Sequence, residues 1–131
     1  MRRVIPANKV SHDYEKVLSE FVSALKNRSG ERLLMVYLTG SYARGDANDN
    51  SDLDVFCIFS TIDQYVLETV GHCARNTSVP YDLLEINTQS LSVDEYKRKI
   101  FEDWSEYAVT ELNGVLLYGE QLAEVENIKE K

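Results

Sequence analysis

Apolar residues in the first third of the chain recur every three or four positions. Tyr14, Val17, Leu18, Phe21, Val22 and Leu25 line one side of a 3.6-residue repeat, which predicts an amphipathic helix from Ser11. Ser11 suits an N-cap, with Asp13 and Glu15 well placed for the helix dipole. Gly30 stands where a left-handed residue closes such a helix. The pattern then changes. Leu33 to Thr39 is almost wholly apolar and bounded by glycine on both sides, which predicts a strand buried on both faces. Asp46 to Ser51 is too rich in Asn and Asp for regular structure, and Asp52 to Phe59 reads as a second strand.

The second half repeats the alternation of helix and strand. Ser60-x-x-Asp63 and Thr61-x-x-Gln64 are overlapping capping-box-like starts for a helix with the stripe Ile62, Tyr65, Val66, Val70 and Cys73. Pro80 to Ile86 reads as a third strand. Ser92-x-x-Glu95 opens a third helix with the stripe Val93, Tyr96, Ile100, Trp104, Tyr107 and Ala108. Asn113-Gly114 is a turn signal before a short strand, Val115 to Tyr118.

The order α-β-β-α-β-α-β, without repeat or linker, predicts an α/β (α+β) fold, a small mixed sheet with helices packed on it. The link between the first two strands is too short for an ordinary crossover. It predicts either antiparallel neighbours or a compact loop with one helical turn. A chain of 131 residues fits a single domain over 1–131, with 119–131 as a polar C-terminal tail.

Charge narrows the partners. Asp and Glu number 22 against 14 Lys and Arg, a net charge of −8, which repels polyanions and argues against direct nucleic-acid binding. Arg2-Arg3 and Lys97-Arg98-Lys99 read as solvated surface. Apolar runs fall far short of the ~18 residues a membrane helix needs, and no signal-peptide core follows Arg3. Cys57 and Cys73 lack metal-type spacing and read as buried thiols in a reducing compartment, which predicts a cytoplasmic protein. His12 and His72 fall on predicted helices and read as structural.

One stretch carries the candidate chemistry, Gly40-Ser41-Tyr42-Ala43-Arg44-Gly45-Asp46, followed by Ser51-Asp52-Leu53-Asp54. Asp52 and Asp54 are two apart at the start of a strand, so both carboxylates share a face with Phe56 and Ile58. Val55, Cys57 and Phe59 take the other face. Two carboxylates so placed repel each other and are costly to desolvate. A cation between them relieves both costs, and hard oxygen ligands select Mg²⁺. Gly40 lets backbone approach a ligand closely. Ser41 offers a hydroxyl and an amide at a helical turn, and Arg44 a fork of donors suited to phosphate.

These residues resemble the signature of the DNA polymerase β-like nucleotidyltransferase superfamily: Gly-Ser, ten residues, then Asp-x-Asp. The fuller form, with Ala43-Arg44-Gly45-Asp46 and Ser51-Asp52, is similar to the minimal nucleotidyltransferase (MNT) branch. Members of that branch are often encoded beside a helical HEPN partner. The resemblance extends to the first helix, the strand before Gly40, Val79 to Leu84, and Gly114 to Tyr118. It implies a polymerase β-like palm fold and a third acidic ligand on a later strand, which Asp82 matches. Glu85 falls on the opposite face from Asp82, and Asp46 and Asp49 read as solvated loop acids.

The resemblance further implies Mg²⁺-dependent nucleotidyl transfer with two ions held by Asp52, Asp54 and Asp82. Gly40 and Ser41, assisted by Arg44, would hold the phosphates of ATP, and Asp82 could also act as base. The expected product is a nucleoside monophosphate, AMP, on a hydroxyl, foremost a tyrosine of a HEPN-type toxin, which makes the chain an antitoxin. Two other readings stay open. One is transfer to an aminoglycoside-like small molecule; the other is a non-catalytic MNT module that neutralises its partner by binding. Base preference and oligomeric state leave no sequence signal.

Overall fold

The computed structural model describes residues 7–48, 51–78, 85–102 and 114–120. Helix α1 (Ala7–Ser29) leads through a 3₁₀ turn at Gly30–Arg32 into strand β1 (Leu33–Thr39). A short helix α2 (Gly40–Arg44) and the polar loop connect to β2 (Leu53–Phe59). Helix α3 (Gln64–Ser78), β3 (Ile86–Ser92), α4 (Val93–Glu102) and β4 (Val115–Tyr118) complete the described chain.

The strands form one mixed sheet in the order β3-β2-β1-β4. β1 runs antiparallel to both β2 and β4, while β2 and β3 are parallel. The short link between β1 and β2 thus joins antiparallel neighbours and also holds a helical turn. The parallel β2–β3 pair needs a crossover, and α3 lies within it; β3 and β4, parallel to each other at opposite edges of the sheet, are joined by a second connection that contains α4.

The two faces of the sheet bury different sets. Val17, Leu18, Phe21 and Leu25 of α1 and Val66, Val70 and Cys73 of α3 pack on Leu33, Val36, Leu38, Leu53, Val55, Cys57 and Phe59. The opposite face gathers Met35, Tyr37, Phe56 and Ile58 beneath Leu91 and Tyr96. β1 and β2 are therefore covered on both sides, as their apolar composition predicts. Each such side chain contributes roughly 1.5–3 kcal/mol when fully buried.

Several local expectations are corrected. α1 begins at Ala7, so Ser11 lies inside the helix rather than capping it. Gly30 does take a positive φ of 59° at its far end. α3 begins at Gln64, and the Val66 N–H donates to Asp63 Oδ1 (3.0 Å). Asp63 is thus the cap, displacing Ser60 and Thr61. That hydrogen bond, helped by Arg32, holds the Asp63 carboxyl below its ordinary range. Tyr65 belongs to the outer face of α3 at 57% exposure, while Thr69, Ala74 and Thr77 are buried. A strand that the apolar pattern does not predict runs at Ile86–Ser92; Pro80–Leu84, most of the expected third strand, falls outside the described residues. The Ser92 cap is borne out, its Oγ accepting from the Glu95 N–H (3.2 Å). Trp104, Tyr107, Ala108 and the Ile100 side chain are also outside the described set.

Candidate active site

The site is assembled by the pairing of β1 with β2. Thr39, the last residue of β1, stands opposite Asp54, and its Oγ1 donates to the Asp54 backbone carbonyl (3.3 Å). The chain must turn sharply at the next residue. Gly40 does so with φ of +73°, and a Cβ built there would collide with the Asp54 carboxylate. Both constraints select glycine: the backbone conformation is costly for an L side chain, and the space is already taken. The register thus places the Gly-Ser turn directly against the second aspartate.

After Gly40 the chain makes the short turns of α2. The Ser41 carbonyl accepts from the N–H groups of Gly45 and Asp46 (3.0 Å each), and Gly45 closes the helix at φ of 85°. Tyr42 anchors this segment by burying its ring against Tyr14, centroids 4.8 Å apart. Ser41 is half-buried beside the turn. Arg44 is exposed and its Nε donates to Asp46 Oδ2 (3.3 Å). That pair is solvent-facing and weak, so Arg44 can leave it for a more highly charged anion.

The polar loop returns through a local turn in which the Asn48 N–H donates to Ser51 Oγ (3.0 Å) and the Ser51 N–H to the Asn48 carbonyl (3.1 Å). Asp52 follows immediately, and Asp54 is the second residue of β2. Both are half-buried. The alternation is as expected: Phe56 and Ile58 continue the Asp54 face, and Val55, Cys57 and Phe59 the other. Asp52 accepts a hydrogen bond on Oδ2 from Asn87 Nδ2 (3.1 Å). A groove of ≈ 350 Å³ runs from Asp54 along this region, lined by Thr39, Phe56, Asn87 and Gln89 among others.

The donor set fits a hard divalent cation. Among the described residues no Lys or Arg pairs with Asp52 or Asp54, so their negative charge is not internally neutralised. The side chains that hydrogen-bond these two residues are neutral: the Thr39 hydroxyl on the Asp54 backbone and the Asn87 amide on the Asp52 carboxylate. Among the described residues no third acidic, His or Cys side chain joins the pair. Asp82 lies outside the described residues, and Glu85 is exposed beside the site, its carbonyl accepting from the Leu53 N–H (2.8 Å). Thr39 and Asn87 escaped the reading of the sequence. Thr39 is legible only through the strand register, and Asn87 only once β3 is correctly placed.

Residues 18–116 match the nucleotidyltransferase domain family. The chain belongs to that family. It is a nucleotidyltransferase domain, and Gly40-Ser41 and Asp52-x-Asp54 sit at one mouth of its sheet. A Methanocaldococcus jannaschii protein provisionally named a protein adenylyltransferase is 41% identical over 54 residues, 41% of this chain. The chain spans about half the length of that curated relative (54%). The fold is similar to that of a Sulfolobus solfataricus protein provisionally named a nucleotidyltransferase, with a TM-score of 0.62 at 22% identity over 92% of this chain and 93% of that one. It is also similar to a chain of a toxin–antitoxin crystallised with AMP-PNP (TM-score 0.53, 17% identity, 84% and 85% covered). A chain of the MntA–HpeT toxin–antitoxin is likewise similar (TM-score 0.52, 14% identity, 96% and 88% covered). Among the described residues no helix is long and apolar enough to cross a membrane.

Proposed function

We propose that this nucleotidyltransferase is a Mg²⁺-dependent adenylyltransferase. It moves AMP from ATP to a protein hydroxyl, a tyrosine of a HEPN-type helical toxin, and so acts as the antitoxin. The observation that carries the reading is the closure of Gly40 against the Asp54 carboxylate. It puts a side-chain-free turn, suited to phosphates, beside carboxylates suited to the cation that accompanies them. The provisional name of the Methanocaldococcus jannaschii relative and the toxin–antitoxin setting of two fold neighbours support a protein acceptor. The net charge of −8 also speaks against a nucleic-acid acceptor.

In this reading Gly40 and Ser41 hold the β- and γ-phosphates, and Arg44 turns from Asp46 to the triphosphate. Asp52, Asp54 and Asp82 hold two Mg²⁺ ions. When bound, such ions stabilise charge on both the entering and the leaving oxygen of an in-line displacement. The acceptor oxygen forms a bond to the α-phosphorus, the bond to the β-phosphate bridge breaks, and pyrophosphate leaves. The hydroxyl proton passes to Asp82. The Phe56-floored groove beside Asp54 gives an acceptor ring a surface to lie against.

The test combines the chain, ATP, Mg²⁺ and the product of the neighbouring gene, expected to be a HEPN-type helical protein, followed by intact-mass measurement of that product. The expected result is a gain of one or more AMP units that vanishes with Asp52→Asn. Neutralisation by wild type and Asp52→Asn alike, with no mass change, would instead establish a binding module.

A further inference from the structure

The geometry points to Asn87 as a positioning residue for the site's first aspartate. The inference rests on the reading of Asp52 as a cation ligand and extends the machinery to a strand that carries no family motif. β3 lies parallel to β2 with Asn87 opposite Asp54, and Asn87 Nδ2 donates to Asp52 Oδ2 (3.1 Å). Asp52 precedes β2 and follows the polar loop, so its side chain has no strand neighbour on its own chain to fix it from the N-terminal side. The amide supplies that restraint. One carboxylate oxygen is engaged and the other, Oδ1, is left for the cation.

The chemistry of the donor matters as much as its position. An Arg or Lys here would orient Asp52 too, but its charge would compete with the metal. The Asn amide donates without neutralising the carboxylate, so the charge that draws Mg²⁺ is kept. Partners that orient metal ligands in this way typically change metal affinity 10–100-fold when removed. Asn87 is exposed and has no core packing to lose, so its removal separates positioning from folding.

The experiment is a Mn²⁺ titration followed by electron paramagnetic resonance, without nucleotide, on wild type, Asp52→Asn, Asn87→Leu and Asn87→Ala, with a thermal melt of each. Leu keeps the branched shape of Asn and removes the donor; Ala removes both. Both Asn87 variants are expected to melt within a degree or two of wild type and to bind Mn²⁺ about tenfold more weakly. Asn87→Gln, which keeps the amide, recovers part of that loss. If wild type and both Asn87 variants bind Mn²⁺ equally, Asn87 does not position Asp52 and the inference fails alone. If wild type binds no better than Asp52→Asn, the metal reading of the site fails and Asn87 has nothing to tune.

Discussion

Gly40 lies so close to Asp54 that a single added methyl at position 40 would overlap the Asp54 carboxylate. The contact couples the phosphate-side turn to the metal-side strand. It follows from the β1–β2 register, in which Thr39 faces Asp54. Gly40→Ala therefore forces an L residue into a φ of +73° and pushes the carboxylate aside. Such strain costs about 1–3 kcal/mol. Denaturant unfolding is expected to show that loss, and Mg²⁺-ATP affinity is expected to fall with it. Wild-type stability and affinity in Gly40→Ala would remove the coupling.

Asp54→Asn is expected to behave in the opposite way for stability. In the absence of metal, Asp52 and Asp54 are like charges two residues apart, with no Lys or Arg paired to either among the described residues, and like charges so placed repel each other. Neutralising one should leave the EDTA-treated protein at least as stable as wild type. The Mg²⁺-ATP-induced rise in Tm, which depends on binding, should disappear. A variant that melts lower in EDTA yet keeps the full Mg²⁺-ATP shift would make Asp54 a structural residue.

Much of this was legible in the sequence, and the reasons differ by element. β1 and β4 stand where their apolar runs predict; for β1 the reason is that a strand covered on both faces leaves no polar position to blur its ends, whereas β4 leaves Val115 and Leu116 exposed. The shared face of Asp52, Asp54, Phe56 and Ile58 follows from strand alternation alone. β3 is not legible in the pattern because Ile86-Asn87-Thr88-Gln89-Ser90-Leu91-Ser92 is mostly polar. As an edge strand it satisfies its hydrogen bonds with β2 on one side, and so needs little apolar composition. The stronger apolar signal is the run before it, Pro80 to Ile86. Without that strand, nothing in the sequence places Asn87 beside Asp52. The α3 start is ambiguous in the sequence because Ser60, Thr61 and Asp63 are all competent caps, and only the backbone path decides among them.

Asp63 gives the pH dependence of that helix start. Its folded-state carboxyl is lowered chiefly by the Val66 N–H, so the charged form is favoured by folding. Its contribution is present above the unfolded carboxylate range and is lost as pH falls through the folded value. Asp63→Ala is expected to lower Tm at pH 7, with the deficit shrinking as the pH drops below about 4, the ordinary carboxylate range. A deficit that stays constant with pH would contradict the cap.

The two thiols should be inert in the folded protein. Burial pushes the Cys57 thiol up to about 12 and raises Cys73 as well, and both are free and buried. Thiolate is the reactive form. At pH 8 a maleimide or disulfide reagent is expected to label neither in native buffer and both in denaturant. Rapid native labelling of Cys57 would mean that the core between the sheet and α3 opens readily.

Tyr96 ties α4 to the sheet face that carries the aspartates. It is fully buried, with its ring centroid 6.4 Å from that of Tyr37. Tyr96→Ala should cost about 3–5 kcal/mol in chemical denaturation, the range for removing a buried aromatic. A loss under about 1 kcal/mol would show that α4 does not hold the face in place.

The most direct measurement is a calorimetric titration of ATP into the wild-type chain, once in Mg²⁺ and once in EDTA. The described part of the site offers two carboxylates without a cationic partner and the exposed Arg44, so a triphosphate there needs a divalent ion to offset the like charges. Measurable binding in Mg²⁺ and little or none in EDTA is the predicted result. Equal affinity in both would contradict a metal-bridged nucleotide at Gly40, Ser41, Asp52 and Asp54.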